Sequence, residues 1–189
     1  MRNGRKSRAL LIGCLLALVA SHADSQSKKR GRERAKEQPP AAQPADKRDT
    51  VVNAAGTPFH GRAFWQALGQ CGGVYFRLGT LYEEASIQAQ IRAAKPNPKT
   101  GADFLARAAA ARRTATLFFV GAEGFLVADR GMTKEDAILT YDARAAEAGD
   151  RLKSIDAALQ AARACPSLYQ TCHAAHGKIC NGVLAKEWS

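Results

Sequence analysis

The sequence predicts an all-α protein: an antiparallel up-down bundle of three long helices plus a short C-terminal helix, stapled by disulfides. Three observations lead there. Apolar residues recur at alternating spacings of four and three through long stretches, the period of a helix with one buried face. Ala is abundant and β-branched residues are sparse, which favours helix. Strand-like alternation of useful length is missing, and short connections between the periodic stretches favour antiparallel neighbours.

With 189 residues the chain suits one domain, and three parts are expected: a signal segment 1–23, a linker 24–58 and a bundle 59–185. Arg2, Arg5, Lys6 and Arg8 precede an apolar run from Ala9 to Ala20, followed by Ser21-His22-Ala23. Positive charge, apolar core and small residues, in that order, mark a secretory signal. Cleavage is expected after Ala23, leaving the protein in the periplasm or outside the cell. The run is too short for a permanent span, so no transmembrane segment is expected in the mature chain. Leu11-Ile12-Gly13-Cys14 matches a lipidation pattern, but six apolar residues follow Cys14 where such a pattern should end the run. Lipidation at Cys14 is therefore the disfavoured alternative.

The linker has no apolar periodicity and holds Pro39, Pro40 and Pro44 among clustered charges. It cannot bury enough apolar surface to offset chain entropy and reads as a disordered tether. Of the net charge of +11, residues 1–23 carry +4, residues 24–50 carry +3 and the remainder +4. The basic character thus lies mostly outside the bundle, which weakens any nucleic-acid reading. Lys28, Lys29, Arg30, Arg32 and Arg34 form a basic run that suits a solvated spacer or a foot on an anionic envelope surface.

The first helix is expected over about residues 61–94. Its stripe is Phe64, Leu68, Cys71, Tyr75, Leu78, Tyr82, Ala85 and Ala89, widened by Trp65, Val74 and Leu81. Lys95-Pro96-Asn97-Pro98 ends it, since Pro cannot continue the hydrogen-bond ladder. Thr100, with Asp103 three residues on, is the expected N-cap of the second helix. That helix carries Phe104, Ala108, Ala111, Ala115, Phe118, Ala122 and Phe125 on one face. Leu117, Phe119, Val120 and Leu126 make it apolar on further sides, so it is expected to be the most buried. Its apolar stretch, 114–128, is too short to cross a membrane.

After a turn at Gly131-Met132, Thr133 and Asp136 repeat the cap signature. Ile138, Tyr141, Ala145, Ala148, Leu152, Ile155, Leu159 and Ala162 form the third stripe, with a kink expected at Gly149-Asp150. Cys165-Pro166 opens the short last helix, where Ser167 and Gln170 suit a capping box and Leu168, Cys172, Ala175 and Ile179 would face the core. Gly177 is placed to stop it early.

Four cysteines remain after the signal: Cys71, Cys165, Cys172 and Cys180. An even number in an exported chain points to disulfides. On one continuous helix Cys172 and Cys180 would lie about 12 Å apart, beyond the roughly 4.4–6.8 Å that a bridge needs. In the antiparallel layout the last helix runs down beside the first and brings Cys180 nearest the level of Cys71, so the favoured pairing is Cys71–Cys180 with Cys165–Cys172, the latter requiring a fold-back at Pro166. The alternatives are Cys71–Cys172 with Cys165–Cys180, and Cys71–Cys165 with Cys172–Cys180 across a break at Gly177.

Cys172, His176 and Cys180 fall at i, i+4 and i+8, and a thiolate with an imidazole at that spacing suits a soft metal. His173 adjoins them. Oxidising conditions and the lack of a fourth ligand oppose that use, and no motif calls for a cofactor. A small exported four-helix bundle with Cys172-His173 near its end resembles the cytochrome c′ class. The resemblance implies haem held through Cys-x-x-Cys-His, with His173 or His176 as axial ligand. Tyr169 stands where the first Cys belongs, so attachment through two thioethers lacks one sulfur. His60 reads as loop decoration.

The sequence has no Gly-x-Ser-x-Gly elbow, phosphate-cradling Gly-rich loop or His-Glu-x-x-His. Glu83, Glu84 and Glu123 would serve acid–base work only if buried at a cleft. Gly69, Gly72, Gly73 and Gly79 surround Cys71, where each costs about 1 kcal/mol relative to Ala in a helix. Close helix approach explains them; a ligand groove is the sharper alternative. The functional expectation is an exported, non-catalytic binding or interaction module of the cell envelope. A haem- or metal-binding bundle is the alternative.

Overall fold

The computed structural model describes residues 46–92 and 98–180. The signal segment with Cys14, the basic run from Lys28 to Arg34, residues 93–97 and the tail 181–189 lie outside the described residues. Among those described, the architecture is all-α: α1 (Phe64–Arg92), α2 (Pro98–Arg130), α3 (Lys134–Asp150), α4 (Ile155–Ala162) and α5 (Cys165–Cys180).

Helix α1 is the centre and packs against all four others. Its Gly72 faces Phe119, Gly79 faces Ala108 and Arg112, and Ser86 meets Gly101, so α1 and α2 run antiparallel. Gly69 faces Tyr141, Gly73 faces Ala145 and Arg77 meets Gly149, so α3 runs parallel to α1. This is the up-down-up order the short connections imply.

The expected stripe of α1 is buried or half-buried throughout, and Trp65, Val74 and Leu81 are buried beside it. Fifteen residues of α1 are buried against nine of the longer α2, so α1, not α2, is the most buried helix. The reason is topological: α2 leaves one flank to solvent, whereas α1 is enclosed by its neighbours. The core has two parts. One gathers Phe64, Leu68, Phe125, Leu126 and all four bonded cysteines; the other gathers Leu78, Leu81, Tyr82, Ala108, Ala111 and Ala158. Phe64 and Phe125 stack with centroids 4.9 Å apart.

The folded part begins earlier than residue 59, correcting the linker boundary at 58. Residues 46–63 strap across the ends of α1 and α2. Val52 and Phe59 are buried, and Val51 bridges Ala63. Asp49 accepts from Arg130 Nε and Nη2 at 2.7 and 2.8 Å, and the Thr50 amide donates to Asp129 at 2.7 Å. The Arg130 guanidinium lies 5.0 Å from the Trp65 ring centroid. Hydrogen bonds from Arg130 hold the Asp49 carboxyl below its usual range, against the opposing effect of burial. The two apolar anchors are too sparse for a periodicity to show, and the ion pairs depend on α2.

Further local expectations resolve as follows. Helix α2 starts at Pro98, so Thr100 lies inside the first turn rather than at the cap; Pro suits a first helical position, where its missing N–H costs nothing. Gly131, at φ 64°, ends α2 in the left-handed conformation that favours glycine. Thr133 caps α3 as expected, accepting from the Asp136 amide at 3.2 Å. The third periodic stretch is two helices: α3 stops at Asp150, and Ser154 caps α4 by accepting from the Ala157 amide at 3.2 Å. Arg77 Nε donates to the freed Leu152 carbonyl at 3.0 Å. Tyr141, Ala145 and Ala162 of the expected stripe are buried, but at two positions the buried residue shifts by one, with Ala137 and Ala158 inside and Ile138 and Leu159 exposed. Small side chains let α3 and α4 lie close to α1. Ser167 is not a cap, since α5 begins at Cys165 and the Ser167 hydroxyl donates to Ala164 O.

The cysteine pairing also differs from the favoured one. Cys71 bonds Cys165 and Cys172 bonds Cys180, with Cα separations of 5.7 and 6.1 Å. The short pair is possible because α5 is not continuous: His176 leaves helical geometry at φ −136° and ψ 42°, one residue before Gly177. The kink also leaves Ala175 exposed rather than in the core.

Candidate functional site

The α1–α3 contact is built from small residues. A Cβ at Gly73 would overlap the Ala145 backbone, and one at Gly149 would meet Gly73 O at 3.2 Å. Beside this close approach a groove of about 500 Å³ opens to solvent. Gly73, Phe76, Arg77 and Thr80 of α1 form one wall; Asp142, Ala145, Ala146, Gly149 and Asp150 of α3 form the other. Phe119 of α2 closes the floor, where its ring stacks on Tyr141 with centroids 5.2 Å apart.

Each cation at the groove is already engaged. Arg112 lies 4.5 Å over the Phe76 ring, and its Nε and Nη2 donate to Glu83 at 2.9 and 2.6 Å. Those hydrogen bonds hold the Glu83 carboxyl below its usual range and raise Arg112 above its own. Arg77 Nη1 pairs with Glu84 at 3.0 Å while its Nε serves Leu152 O. Burial, reinforced by Asp142 and Glu123, raises the Tyr141 hydroxyl. Asp142 and Asp150 line the groove, are exposed, and make no hydrogen bond or ion pair among the described residues. Phe76 remains 48 % exposed.

The residues singled out from sequence are dispersed. Cys172 and Cys180 are bonded to each other, so neither offers a thiolate. His176 turns its ring edge toward Phe64 and Phe125, at centroid distances of 5.1 and 5.3 Å. His173 is exposed near Tyr169, and His60 is exposed on the strap. Groups of three or more His, Cys, Asp or Glu side chains suited to a metal ion are missing among the described residues. Glu83 and Glu84 lie on a partly solvated helix face, paired with Arg112 and Arg77, and Glu123 lies 3.9 Å from Lys134.

Of the four glycines around Cys71, Gly73 lines the groove, which joins the two readings of that cluster: helix contact and groove share one wall. Phe76, Phe119, Asp142 and Asp150 were missed from sequence. Two signals were present: Phe76 breaks the polar face of its helix, and Asp142, Ala146 and Asp150 fall at i, i+4 and i+8. Compared with known protein families, curated proteins and solved structures, the chain matches none.

Proposed function

We propose that this is an exported, non-catalytic binding module of the cell envelope whose ligand site is the α1–α3 groove. The observation that carries the reading is an open groove of about 500 Å³ with an aromatic floor and two exposed carboxylates that have no partner among the described residues. Ligand sites combine these features: an apolar surface with a few polar groups free to fix orientation. Two disulfides support a residence in an oxidising compartment, as does the signal-like order of the first 23 residues. None of the described helices is long and apolar enough to cross a membrane. The haem- or metal-binding alternative has less support, because both thiols it would use are tied in a disulfide.

The run Lys28, Lys29, Arg30, Arg32 and Arg34 adds a second contact, with anionic envelope surfaces. The groove reading is tested by titrating the oxidised protein with Nile red, a neutral solvatochromic dye. Ala146 is exposed on the groove wall, so Ala146→Trp fills the space without entering the core. Dye binding to the parent chain and its loss in that variant are expected. Equal binding to both would place the dye elsewhere and remove the basis for the reading.

A further inference from the structure

We infer that the groove selects an organic cation: an amine or quaternary ammonium carried on a compact apolar body. The inference rests on the groove being a ligand site and goes on to its chemistry. Five charges occupy α3 and its cap between residues 142 and 151. Arg144 donates to Glu147 at 2.8 Å and Arg151 donates to it at 3.0 Å, so three of the five are hydrogen-bonded to one another, with one positive charge in excess. The two left over, Asp142 and Asp150, are the two that line the groove. Eight residues apart, they lie about 12 Å from each other along the helix axis, with Ala146 between them.

The opposite wall offers an anion no free partner. Arg77 is held by Glu84 and Leu152 O, and Arg112 by Glu83 and Thr80. These pairs are close to neutral in sum, and on the other wall the two aspartates outweigh the single excess positive charge of Arg144, Glu147 and Arg151, so the groove side of α3 is net negative by one. Phe76 and Phe119 supply apolar surface below it, on which the body of such a ligand packs. The volume, about 500 Å³, suits a small molecule. A polyamine without an apolar body would leave the aromatic floor unused, and a fatty acid would set its carboxylate against Asp142 and Asp150.

Three probes with one apolar body separate charge from shape: 4-phenylbutylammonium, 4-phenylbutanol and 4-phenylbutyrate, each titrated calorimetrically into the oxidised full chain. The ammonium should bind about ten-fold or more tighter than the alcohol, and the carboxylate weakest, with the gap narrowing in high salt. In the D142N/D150N variant ammonium and alcohol should bind alike, at the affinity the alcohol has for the parent. Both positions are exposed, and an unchanged helical circular dichroism spectrum controls for folding. Equal binding of all three, or tightest binding of the carboxylate, would overturn the cation inference while leaving the groove reading in place. Binding of none, or binding that persists in Ala146→Trp, would overturn both.

Discussion

Removing the Cys71–Cys165 bridge should destabilise the protein more than removing Cys172–Cys180, by an amount that follows from chain length. The first joins residues 94 apart in sequence and the second residues 8 apart. In the chain-entropy description of cross-links these loops correspond to about 4.7 and about 2.5 kcal/mol, a gap of about 2 kcal/mol. All four cysteines are at most 2 % exposed, so Cys→Ala removes a similar burial term from each pair and that term nearly cancels in the comparison. The native contexts strengthen the inequality, since the long bridge ties the N-terminal third of α1 to the start of α5 while the short one spans only the kink at His176. The assay is urea unfolding of the oxidised chain, of C71A/C165A and of C172A/C180A, followed by far-UV circular dichroism. Free energies rather than midpoints are compared, because losing a cross-link enlarges the unfolded state and raises the denaturant slope. Equal losses, or a larger loss for the short loop, would refute the reasoning. A disulfide-linked peptide joining Cys71 to Cys180 would refute the pairing itself.

Other perturbations follow from the same contacts. Asp49→Asn should cost about 3 kcal/mol at neutral pH, because Arg130 keeps its charge in a site built for a partner. The folded state lowers the Asp49 pKa, so this stabilisation is present above the unfolded value of about 3.9 and is lost as pH falls through the folded one. Thermal melts of parent and variant should therefore converge in acid; a gap that persists there would contradict the assignment. Gly73→Ala should cost about 1–3 kcal/mol by forcing α1 from the Ala145 backbone, and Gly149→Ala less, as its nearest neighbours lie at 3.2 and 3.3 Å. Denaturant curves showing the reverse order would dismiss the close-packing account. Thr133→Ala and Ser154→Ala should each cost about 1 kcal/mol through lost caps, read in the same experiment. If the run from Lys28 to Arg34 meets anionic surfaces, cosedimentation with phosphatidylglycerol vesicles should be salt-sensitive and vanish on deleting residues 27–36. Cosedimentation that survives the deletion would rule the run out as the contact.

What the sequence by itself determined is the part of the fold written in local periodicity and chemistry. The stripe from Phe64 to Tyr82 specifies a buried helix face, Thr133 with Asp136 specifies a cap, and four cysteines specify two bridges wherever the chain allows them. These signals act within a few residues of their origin, so one strand of sequence carries them whole. The tertiary structure alone decided which sulfurs meet, where the third stretch breaks and what lines the groove. Cys172 reaches Cys180 because His176 leaves the helix, and α3 stops at Asp150 where Gly149 packs on Gly73 and Arg77 takes the Leu152 carbonyl. The groove joins residues of three helices that are far apart along the chain, from Gly73 to Asp150. That Asp142 and Asp150 have no partner among the described residues is visible only once the positions of Arg77, Arg112, Arg144 and Arg151 show these cations engaged with other groups, because charge compensation is a property of distances in space.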